Sequence, residues 1–233
     1  MRDHTIDDRR QVPFSRRHLG PARQRANALK DRFLARHPSL QPRTTEFRED
    51  YRHLFSKNVL PTAPPYDLKY FANANIGASA GNMSTFNIEW NKLGDEEGAS
   101  RVRGAIDYLL YGPEDTEIQD RLTNLINGRH GFGMKGFREA LLTKVLCMVE
   151  PQRFVPIFTY TGKAGKKEYS RWVYGLVLPS PESVSWTIGR LIFWSNDLLL
   201  RLVGEGFQDT WHAAEFLYYA KDQTAPSEAA GPD

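Results

Sequence analysis

The stretch Phe137-Arg138-Glu139-Ala140-Leu141-Leu142-Thr143-Lys144-Val145-Leu146-Cys147-Met148-Val149 decides how the rest of the chain is read. Phe137, Leu141, Val145 and Met148 recur at helical spacing and form one stripe, and Leu142, Leu146 and Val149 lie beside it. A helix on a domain surface needs one apolar face. An arc this wide predicts a central helix packed on several sides. Pro151 ends it, because proline lacks the N–H that the next turn requires. Cys147 lies inside the run, which predicts a buried structural thiol.

Working outward, helical periodicity recurs on both sides. Residues 21–36 place Ala22, Ala26, Leu29, Phe33 and Leu34 on one face of a helix stopped by Pro38, and residues 45–55 present Phe47, Tyr51, Leu54 and Phe55. Pro61, Pro64 and Pro65 are read as interrupting regular structure, and the small and amide residues of 73–84 as a long loop. Helices resume at 100–111 and after a cap at Asp115 or Thr116, the second closed by Gly128. Residues 154–160 read as extended, and 162–167 as a basic turn into a helix with Tyr169, Trp172 and Val173. Two more helices follow, over 183–203 and after Asp209 as N-cap. The expected fold is mainly α: a compact multi-helix domain over 21–222 with a helix-hairpin-helix-like turn and a few short extended segments. Residues 1–20 are expected to be a basic flexible arm, and 223–233 a linker-like tail of the composition that joins one module to another.

The chain has 233 residues, 40% of them hydrophobic, 25% charged, with one cysteine and a formal charge of +3. Those values exclude a disulfide scaffold and a wholly disordered chain. No apolar run is long enough for a membrane span and the N-terminus lacks a secretory core, so a cytoplasmic protein without membrane contact is expected. The net charge hides an asymmetry: residues 1–60 hold 14 Lys+Arg against 7 Asp+Glu, and the remainder 17 against 21. Excess cation at one end suits a polyanion.

Four constellations carry chemistry. In 122–137 two helices flank a Gly-hydrophobic-Gly turn at Gly131-Phe132-Gly133, surrounded by Arg129, His130, Lys135 and Arg138. In helix-hairpin-helix elements such a turn aims backbone N–H groups at a phosphate, and the second helix dipole adds to the pull. Phe137 and Arg138 stand where the element usually has a small residue, and a plain glycine turn with solvated basic residues satisfies the same sequence. Next, Tyr160, Lys163, Lys166, Lys167, Tyr169, Arg171 and Trp172 interleave cations with rings. Lysines can neutralise phosphate while Tyr160 and Trp172 stack on bases, or the rings can belong to the core and the lysines to a solvated loop. Third, Arg190, Trp194, Ser195, Asn196, Asp197 and Arg201 put polar groups into an apolar helix, as buried support or as a binding surface. Last, the 73–84 loop offers amides, with Asn82 or Asn87 able to bond a base edge or phosphate, or it is simply a connector. Arg16 and Arg17 of the arm complete the candidate DNA contacts.

No phosphate-loop motif, CxxC pair or HExxH is present, and the six histidines are scattered. Hydrolase or metal chemistry has little support; no cofactor, metal or catalytic residue is expected.

From Gly77 onward the chain resembles the N-terminal modules of McrBC-type, modification-dependent restriction GTPases. The resemblance rests on 79–87 (Ser79-Ala80-Gly81-Asn82-Met83), 105–112 (Ala105-Ile106-Asp107-Tyr108), 142–157 (Val149-Glu150-Pro151-Gln152-Arg153), 188–199 (Phe193-Trp194-Ser195-Asn196-Asp197) and 211–222. It implies a DNA-recognition domain, non-enzymatic in itself, that reads modified or foreign DNA for an AAA+ GTPase motor and a nuclease in anti-phage defence. The motor's phosphate loop is missing here, so GTP chemistry is expected on another domain or subunit. Two other classes stay open: a helix-hairpin-helix glycosylase-like enzyme, although 155–159 offers no carboxylate or lysine after the hairpin, and a protein–protein assembly module of a defence complex.

Overall fold

The structure, a computed structural model, describes residues 19–225. Among these lie ten α-helices and no strand: α1 (Leu19–Arg36), α2 (Pro42–Leu54), α3 (Pro65–Asn73), α4 (Ser84–Leu93), α5 (Asp95–Tyr111), α6 (Ile118–Ile126), α7 (Glu139–Val149), α8 (Lys166–Tyr174), α9 (Ile188–Val203) and α10 (Thr210–Thr224). The mainly helical reading holds. The expected arm, with Arg16 and Arg17, lies outside the described residues except for its last two, which already belong to α1. At the other end α10 runs two residues into the expected tail.

The central helix is α7. Eight consecutive residues, Leu141 to Met148, are buried, so it does pack on several sides. Pro151 leaves the Cys147 carbonyl without its intrahelical donor, and the indole of Trp211 in α10 fills the vacancy, Nε1 to O at 3.1 Å. Cys147 is fully buried, and desolvation pushes its thiol up to about 12.

Two helices went unread in the sequence. Pro65 opens α3 instead of breaking it, because the first helical position has no N–H to lose. α4 follows Asn82, whose Oδ1 accepts from the Ser84 N–H at 2.7 Å, and Gly94 ends it. Asn73 and Asn87 exchange amide hydrogen bonds at 3.0 and 2.8 Å, tying the end of α3 to α4 and closing the 74–83 loop. Residues 154–160, expected to be extended, form no strand: the Ile157 N–H turns back onto the Val155 carbonyl at 2.7 Å, and the one ladder contact is an isolated bridge between Thr159 and Gly165.

Apolar burial falls into two clusters. The larger gathers α2 to α7 with the first half of α9, and the smaller gathers α1, α8, α10 and the second half of α9. α9 therefore joins them, and its buried polar residues, Ser195 and Asn196, are bonded within the protein. Asn196, 1% exposed, accepts from the Val155 N–H at 2.9 Å and donates to the Arg153 carbonyl at 2.8 Å, pinning the 153–158 segment to the core. The Thr210 hydroxyl lies 2.7 Å from the carbonyls of both Pro151 and Phe154, which share its one proton. Asp209 caps α10 through the Trp211 and His212 N–H groups and forms a buried ion pair with Arg48 of α2. No helix among the described residues is long and apolar enough to cross a membrane.

Candidate nucleic-acid interface

The glycine turn between α6 and α7 spends much of its chemistry on itself. Arg129 and Lys135 are exposed. Arg138 is exposed too, but its guanidinium donates to the Ile126 carbonyl at 2.7 Å and so caps α6. His130 is held between the rings of Tyr108 (3.7 Å between centroids) and Phe132 (4.9 Å) and faces protein. Phe132 rests on Gly104, where an added Cβ would lie 2.4 Å from its ring, and the Gly133 carbonyl accepts from Arg101 at 3.1 Å. Gly131 has open space around it. At the α7 N-terminus, Glu139 accepts from the Tyr160 N–H at 2.6 Å; burial raises its carboxyl above the ordinary range.

Two expected DNA contacts need correction. Lys166 is fully buried: its ammonium donates to the Ile157 carbonyl, and desolvation lowers it to about 8, so it meets no phosphate at the surface. Tyr160 is also fully buried, with its hydroxyl on the Pro179 carbonyl at 2.7 Å, so its ring offers no face to a base. Both sit just past the segment that Asn196 and Thr210 hold inward, where the Lys166 N–H donates to the Thr159 carbonyl at 2.8 Å.

The rest of that cluster does come together. α8 ends at Gly175, which takes the left-handed conformation at φ 68° and lies against Ala22 of α1. This juxtaposition brings Arg25 of α1 to the backbone of Trp172 and Arg23 near Tyr174. Arg25 donates to the Trp172 carbonyl at 3.4 Å, and the Arg171 guanidinium lies 4.7 Å from the Trp172 ring centroid. Trp172 itself is half-buried and donates from Nε1 to Glu168 at 2.8 Å. Arg23 lies close enough to Tyr174 to offset part of the rise that burial gives that phenol. Arg23, Arg25 and Arg171 are exposed, and Lys167 is half-buried on α8. Lys163 is exposed at the turn before α8, where its carbonyl accepts from Lys221 of α10. Arg23 and Arg25 were missed as site residues. The signal was the arginine-rich face of α1, which shows its meaning only once that helix lies on α8.

Behind this edge a cavity of about 500 Å3 separates the basic turn from the amide loop. Asn75, Gly77 and Ser79 form one wall, Pro156 to Phe158 and Ala164 another, and Tyr169 and Tyr218 the base. Gly77, at φ 71°, lets the loop lie flat: an added Cβ would sit 2.6 Å from Thr44 and 2.9 Å from Trp211. Burial raises the carboxyl of Glu215 at the rim, with His212 and His37 opposing, and lifts the Tyr169 phenol to about 12. Asn82, exposed beyond this wall, does not line the cavity. Among the described residues no group of three or more His, Cys, Asp or Glu is placed to hold a metal.

Comparison of the chain with protein-family models, curated proteins and solved structures finds no match.

Proposed function

We propose that this chain is a non-enzymatic DNA-binding, target-recognition module, acting in the cytoplasm for an AAA+ GTPase motor and nuclease of a restriction system. The observation that carries the DNA reading is the meeting of exposed Arg25 and Arg171 at Trp172, with exposed Arg23 near Tyr174 of the same helix. Guanidiniums at this contact between α1 and α8 can neutralise phosphates, and Trp172 offers a ring to an unpaired base. Arg129 and Lys135 of the glycine turn supply further phosphate contacts, and the cavity lined by Asn75, Ser79 and Tyr169 is of nucleobase-binding size. The division of labour is the ordinary one: cations position the duplex, and the pocket discriminates.

Fluorescence anisotropy of a labelled duplex over a salt series tests this. Each neutralised phosphate contributes about −0.9 to the slope of log affinity against log salt, so Arg23→Ala with Arg25→Ala and Arg171→Ala should flatten the slope by roughly 2–3. All three side chains are exposed, so the melting temperature should barely move. Absence of binding at low salt, or an unchanged slope in the triple variant, overturns the reading.

A further inference from the structure

We propose that the groove between α2 and α3 is a docking site for a partner-protein segment presenting arginine, distinct from the DNA-binding edge and independent of that reading. The groove encloses about 460 Å3. Glu46 and Asp50 project into it from α2 and Asp67 from α3, and Arg43 is the only cation among its lining residues. None of the three carboxylates forms an ion pair among the described residues. Glu46 and Asp50 stand four residues apart on one helix, a like-charge spacing that costs helix stability. A phosphate backbone would be repelled here, so the groove does not extend the DNA surface.

The rings point to the same occupant. Tyr66 and Tyr70 stack at 6.2 Å with planes 10° apart, yet are 75% and 40% exposed, the largest exposed aromatic feature of the described surface. Tyr51 fixes the groove's width, its hydroxyl donating to the Asp67 carbonyl at 2.9 Å. A planar guanidinium satisfies both features at once. It stacks on a tyrosine face, donates in pairs to carboxylates, and sheds water more readily than an ammonium. Charge complementarity therefore selects a cationic partner, and ring geometry selects arginine over lysine.

The test uses the full chain and three fluorescein-labelled octapeptides: (Gly-Arg)4, (Gly-Lys)4 and (Gly-citrulline)4, read by anisotropy. Binding of the arginine peptide is expected, at least threefold weaker for lysine and at least tenfold weaker for citrulline. Tyr66→Ala with Tyr70→Ala, and separately Asp50→Asn with Asp67→Asn, should each weaken it at least fivefold with duplex affinity and melting temperature unchanged. Equal affinity for citrulline, or binding indifferent to both double variants, overturns the proposal. Tighter peptide binding by at least tenfold after Arg9, Arg10, Arg16 and Arg17→Ser would show that the chain's own N-terminal residues fill the groove. A dimer that the peptide dissociates would show that a second copy does. Either result overturns the assignment to a partner.

Discussion

Lys144 sits at the centre of α7 with no solvent exposure, its ammonium donating to the Phe71 and Ala74 carbonyls at 2.6 and 2.7 Å and lying 4.8 Å from the Phe71 ring centroid. No carboxylate accompanies it in these contacts, and desolvation lowers its pKa from 10.5 to about 7. The folded state therefore holds its proton less tightly than the unfolded chain. The stability this group contributes is fully present above pH 10.5 and is lost as pH falls through 7, so the protein should grow more stable as pH rises across that window. Between pH 7 and 9 the gain from Lys144 is roughly 2 kcal/mol. Lys166, lowered to about 8, adds about 1 kcal/mol over the same interval, and the raised Cys147 thiol takes back less than 1 kcal/mol. Burial raises the carboxyls of Glu139, Asp197 and Glu215 from their ordinary range, and the raised tyrosines titrate above the window in both states. With a urea dependence near the upper end for a chain of this size, the wild-type midpoint should rise by about 1 M from pH 7 to pH 9. Urea titrations of wild type and Lys144→Met at pH 7, 8 and 9 measure this. Whichever is more stable at pH 7, the difference between them should move by about 2 kcal/mol in favour of wild type by pH 9. A flat or falling wild-type midpoint, or parallel behaviour of the two proteins, would refute the reasoning.

Three further outcomes are expected. Gly189 at the start of α9 lies so close to α6 that an added Cβ would meet the Gln119 carbonyl at 1.9 Å; Gly189→Ala should cost about 3 kcal/mol and lower the melting temperature by roughly 6–12 °C, and an unchanged value would mean the helices part freely. Asp209→Asn should lose about 3 kcal/mol by leaving the buried Arg48 unpaired, and Arg48→Met in the same chain should recover most of it; simple additivity of the two losses in urea titrations would count against a coupled pair. Cys147 should react with an aromatic disulfide reagent at pH 8 only as fast as the chain unfolds, and labelling within seconds in native buffer would contradict its burial.

The basic residues show most clearly where sequence reading stops. Arg129, Lys135, Arg138, Lys166, Lys167 and Arg171 look alike in the sequence, and any of them could meet a phosphate. In the fold Arg138 closes the end of α6, and Lys166 points inward to a carbonyl. Lys30 similarly caps α9 through the Val203 carbonyl at 2.9 Å, and Arg103 holds the Ala63 carbonyl at 2.7 Å. Helix ends leave carbonyls unsatisfied, and in a helical protein the long cations of neighbouring segments are the available donors. Charge counts therefore overstate how many cations face a partner.

The sequence by itself determined the helical class, the buried α7, the end of that helix at Pro151 and the Asp209 cap, because periodicity, a missing N–H and a capping carboxylate act within a turn or two of the chain. It also marked the mid-helix Asn196 as in need of a tertiary partner without identifying which backbone it holds. Tertiary structure alone decided which rings and cations share a surface. Arg25 and Trp172 are 147 residues apart in sequence and meet only because α1 packs on α8. Tyr66 and Tyr70 meet locally, one turn apart on α3, but they share a groove with Glu46 and Asp50 only because α2 lies beside that helix. Local pattern fixes which face of a helix is apolar. Contact between distant helices depends on which ridges and grooves fit, and that is a property of the whole packed core.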